Sequence, residues 1–410
     1  MTGYRRNNMT LRRASDAKSI EKSFKFLVYS RAFRSIGIIY MTLAMPLYLA
    51  VLGVSLLDIG FVVAGMMAFM VVETLLLGAM GDRYGFRHAL RIAELFPLAG
   101  ALVIFLSTNI YVIIIAIIIA GIGGTAGGMR GGFSPGMTAL IATNYPDEKA
   151  RVRRYGLLNA VGSAASIFGA LLITLHGYLS GYIGIAAAFR SLFLIAAFLM
   201  LLSLLSLLFV KESERPKKTT KVMKRSSLKY ISKIIVVNSF SGVGLGLALP
   251  LLPLWLELMY HANTFQIGIL FGASYLLTAI GSYAASKLSY KYDALNVASI
   301  TRGLNGALLI AMALSPFFLL AGVIYSLRAL NAGFGSSNRI AVNVRGVDRE
   351  DFGTASSVQG VATRASQFSS AASGYLMDVS LPIPLEIGGA FQMVSGLLYK
   401  YILKGSKPSK

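Results

Sequence analysis

The chain is organised by apolar blocks of about 20 residues, the length an α-helix needs to cross the hydrocarbon of a bilayer. Stretches such as 110–120 and 192–210 carry no charge and show no amphipathic period. Buried helices of soluble proteins are shorter, so length separates the two classes. With 55% hydrophobic and only 14% charged residues over 410 positions, the chain has too few polar groups to coat a soluble body of that size. The sequence is that of a helical membrane protein, all-α and polytopic.

Several chemistries are excluded by what the chain lacks. It has no cysteine, which removes disulfides, thiolate metal sites and thiol catalysis. His88, His176 and His261 are far apart and without metal-ligand spacing. No Walker-type phosphate loop and no H-E-x-x-H occurs. The expectation is a protein that is not an enzyme and holds no metal and no cofactor.

Twelve spans follow from the ~20-residue criterion. They lie near 25–51, 57–79, 89–107, 110–131, 153–176, 187–210, 231–256, 264–286, 295–314, 317–338, 355–376 and 386–404. The formal charge of +22 is sorted by loop. Basic residues fill the N-terminal tail, the second loop (Arg83, Arg87, Arg91), the fourth (Lys149, Arg151, Arg153, Arg154), the sixth, and loops eight and ten. Odd-numbered loops are nearly free of them. By the positive-inside rule this alternation puts both termini in the cytoplasm. It also assigns the charge to an anionic inner leaflet of the lipid bilayer, with no nucleic acid as partner. The first apolar run is too long for a signal peptide and is read as a retained span.

The two halves repeat. Leu43-Ala44-Met45-Pro46-Leu47 matches Leu247-Ala248-Leu249-Pro250-Leu251, and Asp58-Ile59-Gly60 matches Gln266-Ile267-Gly268. Arg130 and Arg328 hold related places in spans four and ten. This is a parallel duplication about an axis along the membrane normal. The expected division is a basic tail at 1–23, a six-helix bundle at 24–210, a linker at 211–229, a second six-helix bundle at 230–404 and a tail at 405–410. The linker is either a flexible tether or an amphipathic surface helix.

The loop between spans two and three reads Gly78-Ala79-Met80-Gly81-Asp82-Arg83-Tyr84-Gly85-Phe86-Arg87-His88. It resembles the signature loop of the major facilitator superfamily, and together with twelve spans and a parallel repeat the resemblance covers nearly the whole chain. The first span (Arg31-Ala32-Phe33-Arg34-Ser35-Ile36-Gly37, then Pro46-Leu47-Tyr48-Leu49) is similar to the drug- and sugar-efflux branch. The resemblance implies a secondary-active transporter with a proton as coupling ion, in the plasma membrane and as a monomer. It assigns Gly78, Asp82, Arg83, Gly85 and Arg87 to a gating loop, with Asp82, Arg83 and Arg87 as a charged latch between the halves. Gly85 permits a tight turn and Gly78 a close helix approach. The counterpart Lys287-Leu288-Ser289-Tyr290-Lys291 has lost the Asp and the central Gly. The fifth span keeps Gly162 and Gly169 without the Gly-Pro pair of drug/proton antiporters.

Charges inside spans are costly and mark candidate sites for substrate or proton coupling. Arg31, Arg34 and Glu73 lie at comparable depths. Since the repeat partners of the two arginines are Ile235 and Asn238, these charges are read as belonging to one half only. A pair of Arg34 with Glu73 is either a proton-exchanging site or a permanent ion pair. The resemblance implies a coupling or gating role for Arg130 and Arg328, which are otherwise donors to span carbonyls; Arg364 is a further basic residue and coupling candidate, beside Arg302 and Arg339. Asn331, with Asn338, Asn343, Gln359 and Gln367, either lines a cavity or joins helices. Glu94 is assigned to neutralising loop arginines, and Trp255 to an interfacial anchor. Export of a small organic compound is the first expectation. Uptake of an organic anion by arginines is the second, and a transporter-like receptor or a channel is the reading of another class.

Overall fold

The computed structural model describes residues 2–121, 133–145, 148–213, 224–288, 292–347 and 352–403, with only the backbone of 2–18. All regular structure among them is helical. The first half comprises α1 (Thr2–Val51), α2 (Leu56–Tyr84), α3 (Phe86–Leu106), α4 (Ile110–Ala120), α5 (Phe133–Asn144), α6 (Glu148–Ile183) and α7 (Ile185–Leu208). The second comprises α8 (Arg225–Ala248), α9 (Leu252–Tyr260), α10 (Thr264–Leu288), α11 (Ala294–Ala313), α12 (Phe318–Val344), α13 (Phe352–Ser366), α14 (Ser370–Val379) and α15 (Ile383–Leu403). These build twelve spans in two six-helix bundles. Nine of the described helices are long and apolar enough to cross a membrane alone. Span seven is built from α8 and α9, and span eleven from α13 and α14 with a 3₁₀ turn, Gln367–Ser369, between them; α4 and α5 of span four flank residues outside the described set.

The broken spans have local causes. Gly121 ends α4 in the left-handed region at φ +60, where a side chain would be strained. The sequence reading closed span four at 131, but α5 continues it to Asn144. Phe133, Met137, Leu140 and Ile141 are buried on one face of α5, a helical period that the glycine-rich run before it obscures. In span seven, Pro250 lies in the three-residue gap, 249–251, between α8 and α9. Its repeat mate Pro46 sits inside an unbroken α1. The duplication therefore preserves sequence more closely than backbone at this point.

The repeat is visible in matching caps. The Ser55 hydroxyl accepts the Asp58 N–H at 3.1 Å and donates to the Asp58 carboxylate at 2.6 Å. Asn263 Oδ1 accepts the Gln266 N–H at 2.9 Å, and the Asn263 N–H donates to Gln266 Oε1 at 3.0 Å. The second is a full capping box and the first a side-chain N-cap, each satisfying helix-end donors that hydrocarbon cannot. They start α2 and α10 at the end away from the basic loops.

At that same end the halves close on each other. A Cβ on Gly60 would sit 2.9 Å from the Ala371 carbonyl of α14, and one on Gly268 2.5 Å from the Thr174 N of α6. Bare glycines thus let α2 meet α14 and α10 meet α6 backbone to backbone. One apolar core runs through both halves here, from Ile38, Met45, Val63 and Phe193 to Leu252, Trp255, Phe271 and Leu309. At the basic end there are two separate cores. Phe24, Leu90, Phe133 and Leu207 form one, and Tyr230, Ile234, Leu295 and Tyr399 the other. Among the described residues, the halves share a core at one end and keep separate cores at the other. Its outside is apolar, with Leu76 65% and Leu319 71% exposed, a surface suited to lipid. Trp255 is wholly buried and donates Nε1–H to the Leu381 carbonyl at 2.7 Å. It is a core residue of the closed end, and the expected interfacial anchor is corrected.

Gly268→Val should hold α6 and α10 apart and prevent this closure. Thiol labelling of a single cysteine introduced at Ala170, buried on α6 against Gly268, on a chain with no other cysteine, should quicken at least several-fold. Unchanged labelling would mean the glycine contact is dispensable.

Candidate functional site

Between the shared core and the two basic-end cores lies a belt of buried polar side chains. In the first bundle, Arg34 of α1 forms an ion pair with Glu94 of α3, and both are buried. The guanidinium also stacks over Phe133 at 4.2 Å. Arg31, one turn earlier, donates Nε–H to the Leu158 carbonyl at 3.3 Å and rests against Gly162, whose missing side chain makes the room. Removing both charges from water is repaid only when each finds a partner.

Two expectations are corrected here. The carboxylate that the structure gives Arg34 is Glu94, not Glu73, and Glu94 is not a neutraliser of loop arginines. Depth along a span was readable from residue counts; the face of α2 on which Glu73 sits was not. The repeat then reveals a third point. The register aligning Leu43 with Leu247 aligns Arg34 with Asn238. The register aligning Asp58 with Gln266 aligns Glu94 with Arg302. In the second bundle these two also meet, Arg302 Nη1 donating to Asn238 Oδ1 at 3.1 Å and to Ser395 Oγ at 2.9 Å. The Arg302 guanidinium lies over Tyr399 at 4.5 Å. Charge is therefore not confined to one half. The same inter-helix link is kept, with its arginine moved to the other helix and its carboxylate lost.

Other polar groups cross between bundles. Arg364 of α13 donates to Thr74 Oγ1 of α2 at 2.8 Å, within electrostatic reach of the buried Glu73. Nearer the closed end, His176 of α6 meets Thr264 of α10. Its Nε2–H donates to the Ile185 carbonyl at 3.1 Å, which leaves Nδ1 to accept the Thr264 hydroxyl at 2.9 Å. The ring stacks on Phe189 at 3.6 Å. Asn331 joins helices within its own bundle, donating to the Thr301 carbonyl at 2.7 Å and to Asn305 Oδ1 at 3.0 Å. Arg328 is buried near Tyr325. Arg130 lies outside the described residues.

The gating loop sits at the parted end. Gly85 has φ +104, the backbone state that requires glycine between α2 and α3. The carboxylate of Glu212 accepts the Phe86 N–H at 3.1 Å and the Arg87 N–H at 2.9 Å, capping α3. Asn144 holds the same segment, donating to the Lys211 carbonyl and accepting the Ser213 N–H, both at 2.9 Å. The start of the linker is thus fastened to the first bundle, a contact that sequence inspection passed over. Asp82, Arg83 and Arg87 are exposed. Gly78 makes no close helix contact, since a Cβ there would meet open space. The tight contact falls at Gly81, against the ring of Phe86.

The sequence profile described as Major Facilitator Superfamily matches residues 27–372. The chain belongs to the major facilitator superfamily. Solved structures agree on the fold. A crystal structure of an auto-inhibited POT family peptide transporter superposes with TM-score 0.74 at 12% identity, covering 95% of this chain and 98% of that one. A D-xylose–proton symporter gives 0.71 at 16%, covering 92% and 97%. The inward open conformation of the xylose transporter from E. coli gives 0.70 at 16%, covering 93% and 97%. No curated protein matches the sequence. This major facilitator is a multi-pass membrane transporter.

Removing one member of the buried pair should cost about 3–5 kcal/mol, because the other charge is stranded. Glu94→Leu should lower the thermal midpoint strongly, and adding Arg34→Met should recover most of the loss. A double variant no better than the single one would contradict a coupled pair.

Proposed function

We propose that this protein is a secondary-active carrier working by alternating access, coupled to protons and exporting a small organic compound. The observation that carries the reading is the arrangement of cores: one shared at the far end, two separate at the basic end. A body joined that way exposes the space between its bundles to one side only. Rocking 24–210 against 230–404, with 211–229 as tether, would exchange the closed end for the open one. The positive-inside rule places the basic end and both termini in the cytoplasm of a plasma membrane protein, so the described state faces inward. A monomer suffices, since each chain carries both bundles.

Glu73 and Arg364 are the proposed coupling pair. Glu73 belongs to the first bundle and Arg364 to the second, so their attraction favours closure of the far end. A proton on Glu73 removes that attraction and frees the bundles to part. Arg31, Arg34 and Arg328 are proposed to border the cargo path. Asp82, Arg83 and Arg87 are proposed to latch the basic end when it closes. In the described state that end is parted, and the α3 N-terminus beside the loop is capped by Glu212. Uptake of an organic anion is the second reading, favoured by the surplus of arginine over carboxylate in the belt.

The test uses proteoliposomes loaded with a pH-sensitive dye, exposed to sugars, organic acids and lipophilic cations. A transported compound should move protons in the wild type. Glu73→Gln should abolish proton movement while solute exchange at equal pH persists. Proton movement by Glu73→Gln at wild-type rates would reject Glu73 as the coupling site.

A further inference from the structure

The second bundle holds buried positive charge without a described counter-ion. Arg302 occupies the place of Glu94, yet its polar partners are the neutral Asn238 and Ser395. Two more arginines lie on α12. Arg339 donates Nη2–H to the Ala332 carbonyl at 3.0 Å. Arg328 is 6% exposed, and its Nε has no hydrogen-bond partner. Among the described residues no carboxylate forms an ion pair with any of the three. The contrast with the first bundle is direct: Arg31 also has an unpartnered nitrogen, but Glu94, beside Arg34, keeps a free oxygen in the same cluster.

Geometry gathers these groups on one side of α12. Positions 328, 331, 335 and 339 fall on one helical face, at spacings of three and four. Asn331 is tied to Thr301 and Asn305 of α11. Gly335 leaves space where a Cβ would lie 2.5 Å from Arg339 Nη1. A separate stripe through Leu319, Val323 and Leu327 lines an apolar groove of about 460 Å³ on the outside of α10 and α12. The charged face is therefore turned into the bundle and the apolar one toward lipid.

An unneutralised guanidinium in a membrane interior is costly, and its planar fork matches a carboxylate or phosphate. We infer that the inward face of α12, centred on Arg328, binds the carboxylate or phosphate group of a small organic anion. That this anion is the cargo rests on the carrier reading; the binding itself does not.

The experiment follows thermal unfolding of purified full-length protein by the fluorescence of Trp255, the single tryptophan. The probes are inorganic phosphate and glutarate, against chloride at equal ionic strength, tetraphenylphosphonium, and phosphatidylglycerol in mixed micelles. Phosphate or glutarate should raise the midpoint of the wild type, since a ligand of the folded state stabilises it. Arg328→Gln should weaken that response at least about tenfold, and Arg328→Lys should restore part of it. Asn305→Asp keeps the oxygen that accepts from Asn331 and adds a carboxylate beside the Arg328 face; it should raise the midpoint without ligand and abolish the anion response. It remains informative if Arg328→Gln does not fold. The inference is overturned if no anion exceeds chloride, if Asn305→Asp responds like the wild type, or if only phosphatidylglycerol stabilises. Solute exchange with no anion stabilisation would reject this site alone. Anion stabilisation with no exchange would reject carriage and leave the site standing.

Discussion

A charge inside hydrocarbon has to be held by polar partners, and each bundle holds an arginine at the same structural place. Arg34 and Glu94 bridge α1 and α3; Asn238 and Arg302 bridge α8 and α11. Insertion scales put an unmatched arginine at the helix centre at roughly 2.5–3.5 kcal/mol. Within a protein, partners must also be held at hydrogen-bond distance, so each link fixes two helices against each other. Ser395 extends the link on α15 by accepting from Arg302 and donating to the Val237 carbonyl at 2.7 Å. Each bundle thereby gains directional internal bonds and acts as one piece.

The junction between bundles is of another kind. It is an apolar core plus glycine contacts, neither of which fixes direction. Among the described residues, Arg364 to Thr74 and His176 to Thr264 are polar bonds that cross it. Parting an interface of this type breaks few directional bonds and costs mainly the exposure of its apolar faces. Stiff bundles on a slippery junction are what rocking needs. At the parted end, Glu212 on α3 and Asn144 on the 211–213 segment keep the linker root with the first bundle.

Much of this was legible in the sequence because hydrocarbon thickness dictates span length and loop charge follows topology. The twelve spans, the duplication and the turn at Gly85 came from those constraints. What sequence left unread depends on which face of a helix a residue occupies. Residue counting placed Glu73 and Glu94 in spans two and three, but not that Glu94 meets Arg34 of α1 while Glu73 lies beside Gly121 at the end of α4. Gly78 looked like a contact and Gly81 is one, a difference of three positions on the same helix. Trp255 had the residue type of an interfacial anchor and is instead packed in the core. One signal was available and unused: carrying the repeat register through span three sets Arg302 opposite Glu94. That alone shows the charged link recurring in the second half.

The central claim is that two stiff bundles exchange which end is closed. Double electron–electron resonance on this cysteine-free chain measures it directly, with one spin-label pair at Arg87 and Lys229 on the basic end and another at Gly181 and His261 on the far end. Across a pH series, the two distances should change in opposite directions, the basic-end pair shortening as the far-end pair lengthens. Distances that stay fixed, or that lengthen together, would contradict alternating access.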